Sequence, residues 1–443
     1  MVIYLSYWLN KWSNPECNGV LPPGSMGLPL IGETLQLIVP SYSLDLHPFI
    51  KKKAQKYARD NCRHPRPPSS PMSRKYGPIF RTSVAGSPIV VSVDPKFNHY
   101  IVKQEGRLVE LWYLDSFSKL FEMEGENKTT AIGVCHKYLR NIILNHCGAN
   151  PLKEKLLPQI EEFVNKTLQT WSSHPLFEMK HAASVMIFDF TAKLLISYDA
   201  ENSPMKMSEK FTNILGGLMS FPLNIPGTTF HKCLKDQNEA LSMLRKILKE
   251  RINSPKRHYE DLLDQAINDM DKEKFLSEDL IVNVVYGLLF ASFESISVAL
   301  SLTLNLLAEH PAVLQELTDE HEAILKNRES PNSLLTWDEY KSMTFTHQVI
   351  NEALRLGSVA PGLLRKALKD IEFKGYTIPA GWTIMLVNSA IQLNPNTYKD
   401  PLAFNPWRWK NFMPFGGGIR QCAGAEYSKT FLATFLHVLV TKY

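Results

Sequence analysis

Apolar and polar positions alternate with different periods along this chain, and the change of period divides it. From Asp94 to about Leu356 the spacing is mostly helical, with apolar residues three and four apart. Runs over Ile132–Leu144, Lys153–Trp171, Ala182–Ser197, Asp236–Ile252 and Ser342–Leu356 predict amphipathic helices. A further helix is expected within residues 41–60, starting at His47-Pro48. Two stretches alternate with period two. PIFRTSVAGSPIVVSV, from Pro78 to Val93, predicts a hairpin turning at Ala85-Gly86-Ser87. DIEFKGYTIPAGWTI, within Arg365 to Trp382 and just beyond, predicts short strands with turns at Lys374-Gly375 and Pro379-Ala380-Gly381. A last helix is expected from Ala425 to Tyr443. The sum is a mainly α protein with a minor β-sheet.

The run from Ile281 to Pro311 is long and apolar enough to resemble a membrane span. Glu294 sits near its centre among Ser292, Ser295 and Ser297. An acid at mid-bilayer costs roughly 2.5–3.5 kcal/mol on insertion scales. Glu278 and Asp279 suit a helix N-terminus, and His310-Pro311 closes the run. A helix of about 30 residues, ~45 Å long, crossing a large soluble core is the better reading. At the N-terminus only Val2 to Leu9 is apolar, about eight residues against the roughly 20 that a span needs. Lys11 and Trp12 resemble a membrane-interface flank. Residues 1–20 are therefore expected to be a clipped membrane-anchor remnant. The Pro/Gly-rich residues 21–40 are either a plain loop or a stiff hinge, and 41–443 form the body.

Hydrophobic residues at 44 % and charged residues at 21 % are ordinary for a globular chain, so disorder and fibrous classes are excluded. The net charge of +5 suits an anionic membrane surface, and no Lys/Arg stripe with interleaved aromatics points to nucleic acid. The 6 cysteines are scattered without paired spacing, which argues against a disulfide framework or a zinc ribbon.

One cysteine stands apart. Cys422 lies in FMPFGGGIRQCAG, on a glycine-rich loop that leads into the last helix. Glycines let backbone approach a flat partner closely. A helix N-terminus favours a thiolate over a thiol. A thiolate held by backbone N–H groups suits an axial ligand of haem iron, with Arg420 placed for a propionate. The alternative is a surface loop carrying an inert cysteine.

Phe415-Gly416-Gly417-Gly418-Ile419-Arg420-Gln421-Cys422-Ala423-Gly424 resembles the haem signature Phe-x-x-Gly-x-Arg-x-Cys-x-Gly of the cytochrome P-450 monooxygenases. Further marks agree, in order along the chain. Glu352-Ala-Leu-Arg355 resembles the family's Glu-x-x-Arg pair, and FNPWRW, with Arg408, completes a buried Glu–Arg–Arg triad. An i,i+3 ion pair on a surface helix, worth only ~0.2–0.5 kcal/mol, is the plainer reading of the first two. Ala291-Ser-Phe-Glu294-Ser295 resembles the oxygen-activation motif, with Ser292 where glycine is commonest and Ser295 where threonine is. Glu294 and Ser295 would relay protons during dioxygen activation; simple back-bonding of the serines is the alternative. His136-Lys-Tyr-Leu-Arg140 resembles the Trp-x-x-x-Arg helix, and Arg365 matches the strand arginine. With Arg420 they would meet the haem propionates.

The resemblance implies the cytochrome P-450 fold, with a long central helix crossing over haem b. It also implies electrons from NADPH through NADPH–cytochrome P-450 reductase, O2 as co-substrate, and attachment to the cytosolic face of the endoplasmic reticulum membrane. LPPGSMGLPLIGETL, FPLNIPGTTFHKCLK and LTWDEYKSMTFTHQVINEALRL resemble the plant branch oxidising sterols, brassinosteroids and triterpenoids. The implied substrate is a large apolar polycyclic lipid in a mostly apolar pocket. Candidate walls are Trp112, Leu120, Phe121, Phe221, Leu223, Leu288, Ala291, Phe293 and Val359 to Leu363, each with ordinary core packing as the alternative. Three departures stand out: an insertion near 54–74, a meander shortened to Lys410 and Asn411, and an end at Tyr443 without the family's terminal hairpin. They suggest a truncated or alternatively spliced member. A catalytically impaired haem-binding form, or a reductase-independent isomerase or dehydratase, are the rival functions.

Overall fold

The computed structural model describes residues 10–29, 31–38, 43–61, 77–84, 86–113, 117, 133–203, 206–218, 220, 223–254, 259–328, 330, 333–360, 362–408 and 414–443. The chain divides into two compact units. One comprises Met1–Tyr113, Leu354–Phe404 and Lys410–Cys422; the other Leu114–Ala353, Asn405–Trp409 and Ala423–Tyr443.

The first unit is built on a five-stranded mixed sheet in the order β1-β2-β7-β4-β3. The strands are β1 Ile79–Val84, β2 Ser87–Ser92, β3 Val109–Leu111, β4 Leu363–Ala367 and β7 Thr383–Leu386. β1 and β2 form the expected hairpin, Ile79 facing Ser92 and Val84 facing Ser87, with Gly86 at φ +79° in the turn. β2 runs parallel to β7; the other pairs are antiparallel. β5 Ile371–Phe373 and β6 Tyr376–Ile378 make a separate hairpin. Lys374 and Gly375 at its tip have φ +51° and +78°, as a two-residue primed turn requires.

Both sheet faces are covered, which explains why β2 reads as a continuous apolar run. Val90, Val109, Ile384 and Leu386 pack with Phe97, Ile101 and Val102 of α2 (Pro95–Val102). Ile89, Val91 and Phe80 pack with Phe49 and Ile50 of α1 (Pro48–Asn61). α2 starts where Asp94 accepts from the N–H groups of Lys96 and Phe97 at 2.9 and 3.0 Å, with Pro95 in its first turn. The Pro/Gly stretch before α1 lies along β1. Arg81 N–H donates to Pro23 O at 2.9 Å, and Glu33 N–H to Ser83 O at 2.9 Å.

The second unit is helical: α3 Val134–Cys147, α4 Leu157–Ser172, α5 Met179–Ile196, α6 Met207–Leu218, α7 Thr229–Ile252, α8 Leu262–Asp269, α9 Glu278–Glu309, α10 Pro311–Lys326, α11 Thr344–Leu356 and α12 Ala425–Lys442, with the last residues of α11 passing into the first unit. α4 is preceded by a widened turn, Leu152–Leu156, where Leu157 N–H reaches back to Leu152 O. Pro158 has no N–H for Glu154 O, so the regular ladder predicted from Lys153 cannot form there. α7 starts at Thr229, ahead of its predicted start at Asp236, because the Thr228 hydroxyl caps it at His231 N–H.

α9 is the membrane-like run. Among the described residues it is the one helix long and apolar enough to cross a bilayer, and it packs along α5 and α7. Ser277 caps it at Leu280 N–H, and Glu278 and Asp279 face its positive end. An aromatic cluster of Phe188, Phe211, Tyr286 and Phe293 fills the space between α9, α5 and α6, with ring centroids 4.9–6.3 Å apart.

Candidate functional site

The cysteine loop follows from its glycines. Gly416 and Gly418 have φ of +71° and +68°. A Cβ on Gly418 would lie 2.6 Å from the carbonyl oxygen of Val102, so only glycine allows α2 to come this close. A single helical turn, Gly418–Arg420, follows. The Cys422 N–H then donates to Phe415 O at 3.0 Å and closes the loop. Cys422 itself is exposed, unlike Cys147 and Cys233, whose burial pushes their thiols up to about 12 and about 11. Gly424 is the N-cap of α12, which begins at Ala425 without a side-chain cap and carries Glu426 in its first turn.

Beside this loop, in the same unit, two arginines meet a buried carboxylate. Glu105 Oε2 lies 2.7 Å from Arg365 Nε, and its Oε1 lies 3.2 Å from Arg420 Nε. The same Oε1 accepts the Leu111 N–H at 2.9 Å. The side chains are 1 %, 3 % and 9 % exposed for Glu105, Arg365 and Arg420. Pairing of β3 with β4, Leu111 opposite Arg365, sets this geometry, and Arg365 Nη1 also donates to Leu364 O at 2.8 Å. Burial pushes the Arg365 guanidinium below its ordinary value even with Glu105 beside it. Tyr113 is close enough to feel all three charges, and burial raises its phenol. Sequence reasoning missed Glu105 and Tyr113. The strand β3, which places Glu105 next to Arg365, is only three residues long and lies in a stretch that reads as helical.

Glu352 and Arg408 meet. Glu352 Oε1 accepts Arg408 Nε–H at 3.0 Å and Asn405 N–H at 3.1 Å. Arg355 is 1 % exposed. It donates from Nη1 to Gln392 O and Pro401 O at 3.0 and 2.7 Å, and from Nη2 to Ala403 O at 3.3 Å, with its guanidinium 4.8 Å from the centre of the Tyr398 ring. A solvated surface pair would show neither this burial nor these carbonyls.

On α9, Glu294 pairs with Lys180 Nζ at 2.8 Å. The Ser295 hydroxyl donates to Ala291 O at 3.1 Å, and Ser292 to Leu289 O at 3.0 Å, so both serines back-bond to the preceding turn here. The less buried face of α9 carries Leu288, Ala291 and Ser295, spaced three and four apart. Phe293 does not share it. Two residues after Ala291, it points to the opposite side and is 1 % exposed within the aromatic cluster, so its candidacy as a pocket wall gives way to core packing. The helical spacing already carried that signal. His136 and Arg140 lie one turn apart on α3, both half-buried. Trp112 and Leu363 are half-buried in the sheet unit, where Trp112 N–H donates to Leu364 O at 3.4 Å; Val359 and Leu223 are exposed. Leu120, Phe121 and Phe221, the greater part of the 54–74 insertion, and residues 410–411 lie outside the described residues.

The family profile "Cytochrome P450" matches residues 64–443. The chain belongs to the cytochrome P450 family. It is 52 % identical to a cucurbitadienol 11-hydroxylase of Siraitia grosvenorii, over 100 % of this chain and 91 % of that protein. It is also 52 % identical, with the same coverage, to a beta-amyrin 16-alpha-hydroxylase of Maesa lanceolata. Among solved structures, retinoic-acid-bound cyanobacterial CYP120A1 superposes with a TM-score of 0.80 at 26 % identity, covering 96 % of this chain and 92 % of that one. This P450 is thus an oxidoreductase of the monooxygenase class, and haem is the family's cofactor. Its residues fit that group. An exposed cysteine ends a loop that only glycine can form, and buried Arg365, whose Nε–H has no aligned acceptor, stands in the same unit, suited to a carboxylate.

Proposed function

We propose that this P450 hydroxylates a triterpenoid or sterol, and that Cys422 would hold the haem iron. The carrying observation is the union, in one compact unit, of the exposed Cys422 on its glycine loop with Arg365 and Arg420. Haem supplies dioxygen activation when bound. Arg365 and Arg420, with His136 and Arg140, would hold its carboxylates; Phe415, Gly416, Gly418 and Gly424 would shape the loop. Glu294 and Ser295 would pass protons, for which the Ser295 hydroxyl has to turn from Ala291 O and the Glu294 carboxylate has to take up a proton, as from Lys180 at 2.8 Å, and give it on. Glu352, Arg355 and Arg408 keep the backbone around them fixed.

The two hydroxylases at 52 % identity act on triterpene skeletons by their names, which supports a substrate of that class. Trp112, Leu288, Ala291, Val359 and Leu363 are the described candidates for its apolar contacts. Electrons come from NADPH through NADPH–cytochrome P-450 reductase at the endoplasmic reticulum membrane. Leu28, Ile31, Leu35 and Leu44, exposed by 63 %, 46 %, 64 % and 38 %, support a lipid-facing N-terminal region. The test is the reduced, carbon-monoxide-bound spectrum. A strongly red-shifted Soret band that Cys422→Ser abolishes is expected; a band that survives the substitution excludes Cys422 as ligand.

A further inference from the structure

Glu105 belongs to none of the motifs that carry the haem reading, yet its side chain is more deeply buried than either arginine it meets. Its carboxylate meets the Nε side of both Arg365 and Arg420, at 2.7 and 3.2 Å. Its own position is fixed by the Leu111 N–H at 2.9 Å. Without it, two guanidiniums would stand side by side out of solvent, repelling each other and unable to shed their charge.

We infer that Glu105 is a built-in counter-ion that keeps the Arg365–Arg420 pair assembled before the cofactor's carboxylates arrive, and that it remains as a fixed negative charge beside the cofactor afterwards. This rests on the haem reading above. Glu105 lies at the Nε atom of each guanidinium, as an ion pair with Arg365 and as the acceptor of the Arg420 Nε–H, while Arg365 Nη1 is turned to Leu364 O. The cofactor therefore meets arginines already turned, and less of their ordering is left to binding.

Two consequences separate this role from a purely structural one. Glu105→Gln keeps the shape and removes the charge. The apo chain then loses the carboxylate that meets both arginines, whereas the loaded chain retains the cofactor's carboxylates. The melting temperature of apo protein should fall further than that of loaded protein, so the gap between them widens. Removal of a nearby negative charge also favours the reduced iron, so the midpoint potential should move positive; Glu105→Asp, which keeps the charge, should move it less. Thermal melts of apo and haem-loaded protein, with potentiometric titration of the loaded forms, test this. Equal losses of melting temperature in both states, or an unmoved potential, would overturn the inference while leaving the haem reading intact. A wild-type chain that takes up no haem as a thiolate complex would overturn both.

Discussion

Arg355 is tied to the carbonyls of Gln392, Pro401 and Ala403, three points of backbone that are distant from it in sequence. Arg355→Ala strands those carbonyls and is expected to cost at least the roughly 1–3 kcal/mol of one unsatisfied buried acceptor. Chemical denaturation and the fraction of haem-loaded protein measure it; full loading with unchanged stability would remove Arg355 from the framework. Ser295 poses a different question, because its hydroxyl back-bonds to Ala291 O. Ser295→Ala is expected to leave the fold within about 0.5 kcal/mol and to lower product formed per NADPH consumed. Unchanged coupling would assign the hydroxyl to the back-bond alone.

At the scale of elements, α10, α11 and α12 are joined by a chain of polar side chains. His437 Nε2 faces Arg328 Nη2 at 3.3 Å, which can only donate, so the His437 proton sits on Nδ1. That Nδ1–H meets His321 Nδ1 at 2.9 Å; His321 Nε2–H then donates to Thr346 Oγ1 at 3.0 Å, and Thr346 donates to Glu320 at 2.6 Å. Every link requires both rings neutral. Burial, with neighbouring positive charge, pushes both histidines down to about 3 from an ordinary 6.5. Between those values the unfolded chain binds more protons than the folded one. This contribution is complete above about pH 6.5 and is lost as pH falls towards 3, at up to about 1.4 kcal/mol per pH unit for each ring. Denaturant melts across pH 7 to 4.5 should show falling stability, and His321→Leu combined with His437→Leu should flatten the slope. An unaltered slope would place the acid sensitivity elsewhere.

For the whole molecule, the expectation is a substrate-induced spectral shift. With haem bound, a triterpenoid should perturb the Soret band and yield a hydroxylated product with a reductase and NADPH. Perturbation by sterols alone would move the substrate class within the polycyclic lipids; product formed without NADPH would favour the isomerase or dehydratase reading.

What the sequence determined is local or carried by rigid spacing. The β1–β2 hairpin, the Lys374-Gly375 turn and the long α9 were legible because a period or a turn dipeptide needs only neighbours in the chain. Cys422 and the Glu352, Arg355 and Arg408 motifs stood out because their spacing resembles a family's. Tertiary structure alone decided the rest. Glu105 became a partner of Arg365 and Arg420 because a three-residue strand pairs β3 with β4, Leu111 against Arg365, and neither period nor motif encodes a pairing so remote in the chain. Phe293 went to the core because α9 packs on α5 and α6 through that side. The two histidines became neutral because distant helices bury them together, and solvation is a property of the packed interior, not of the residue.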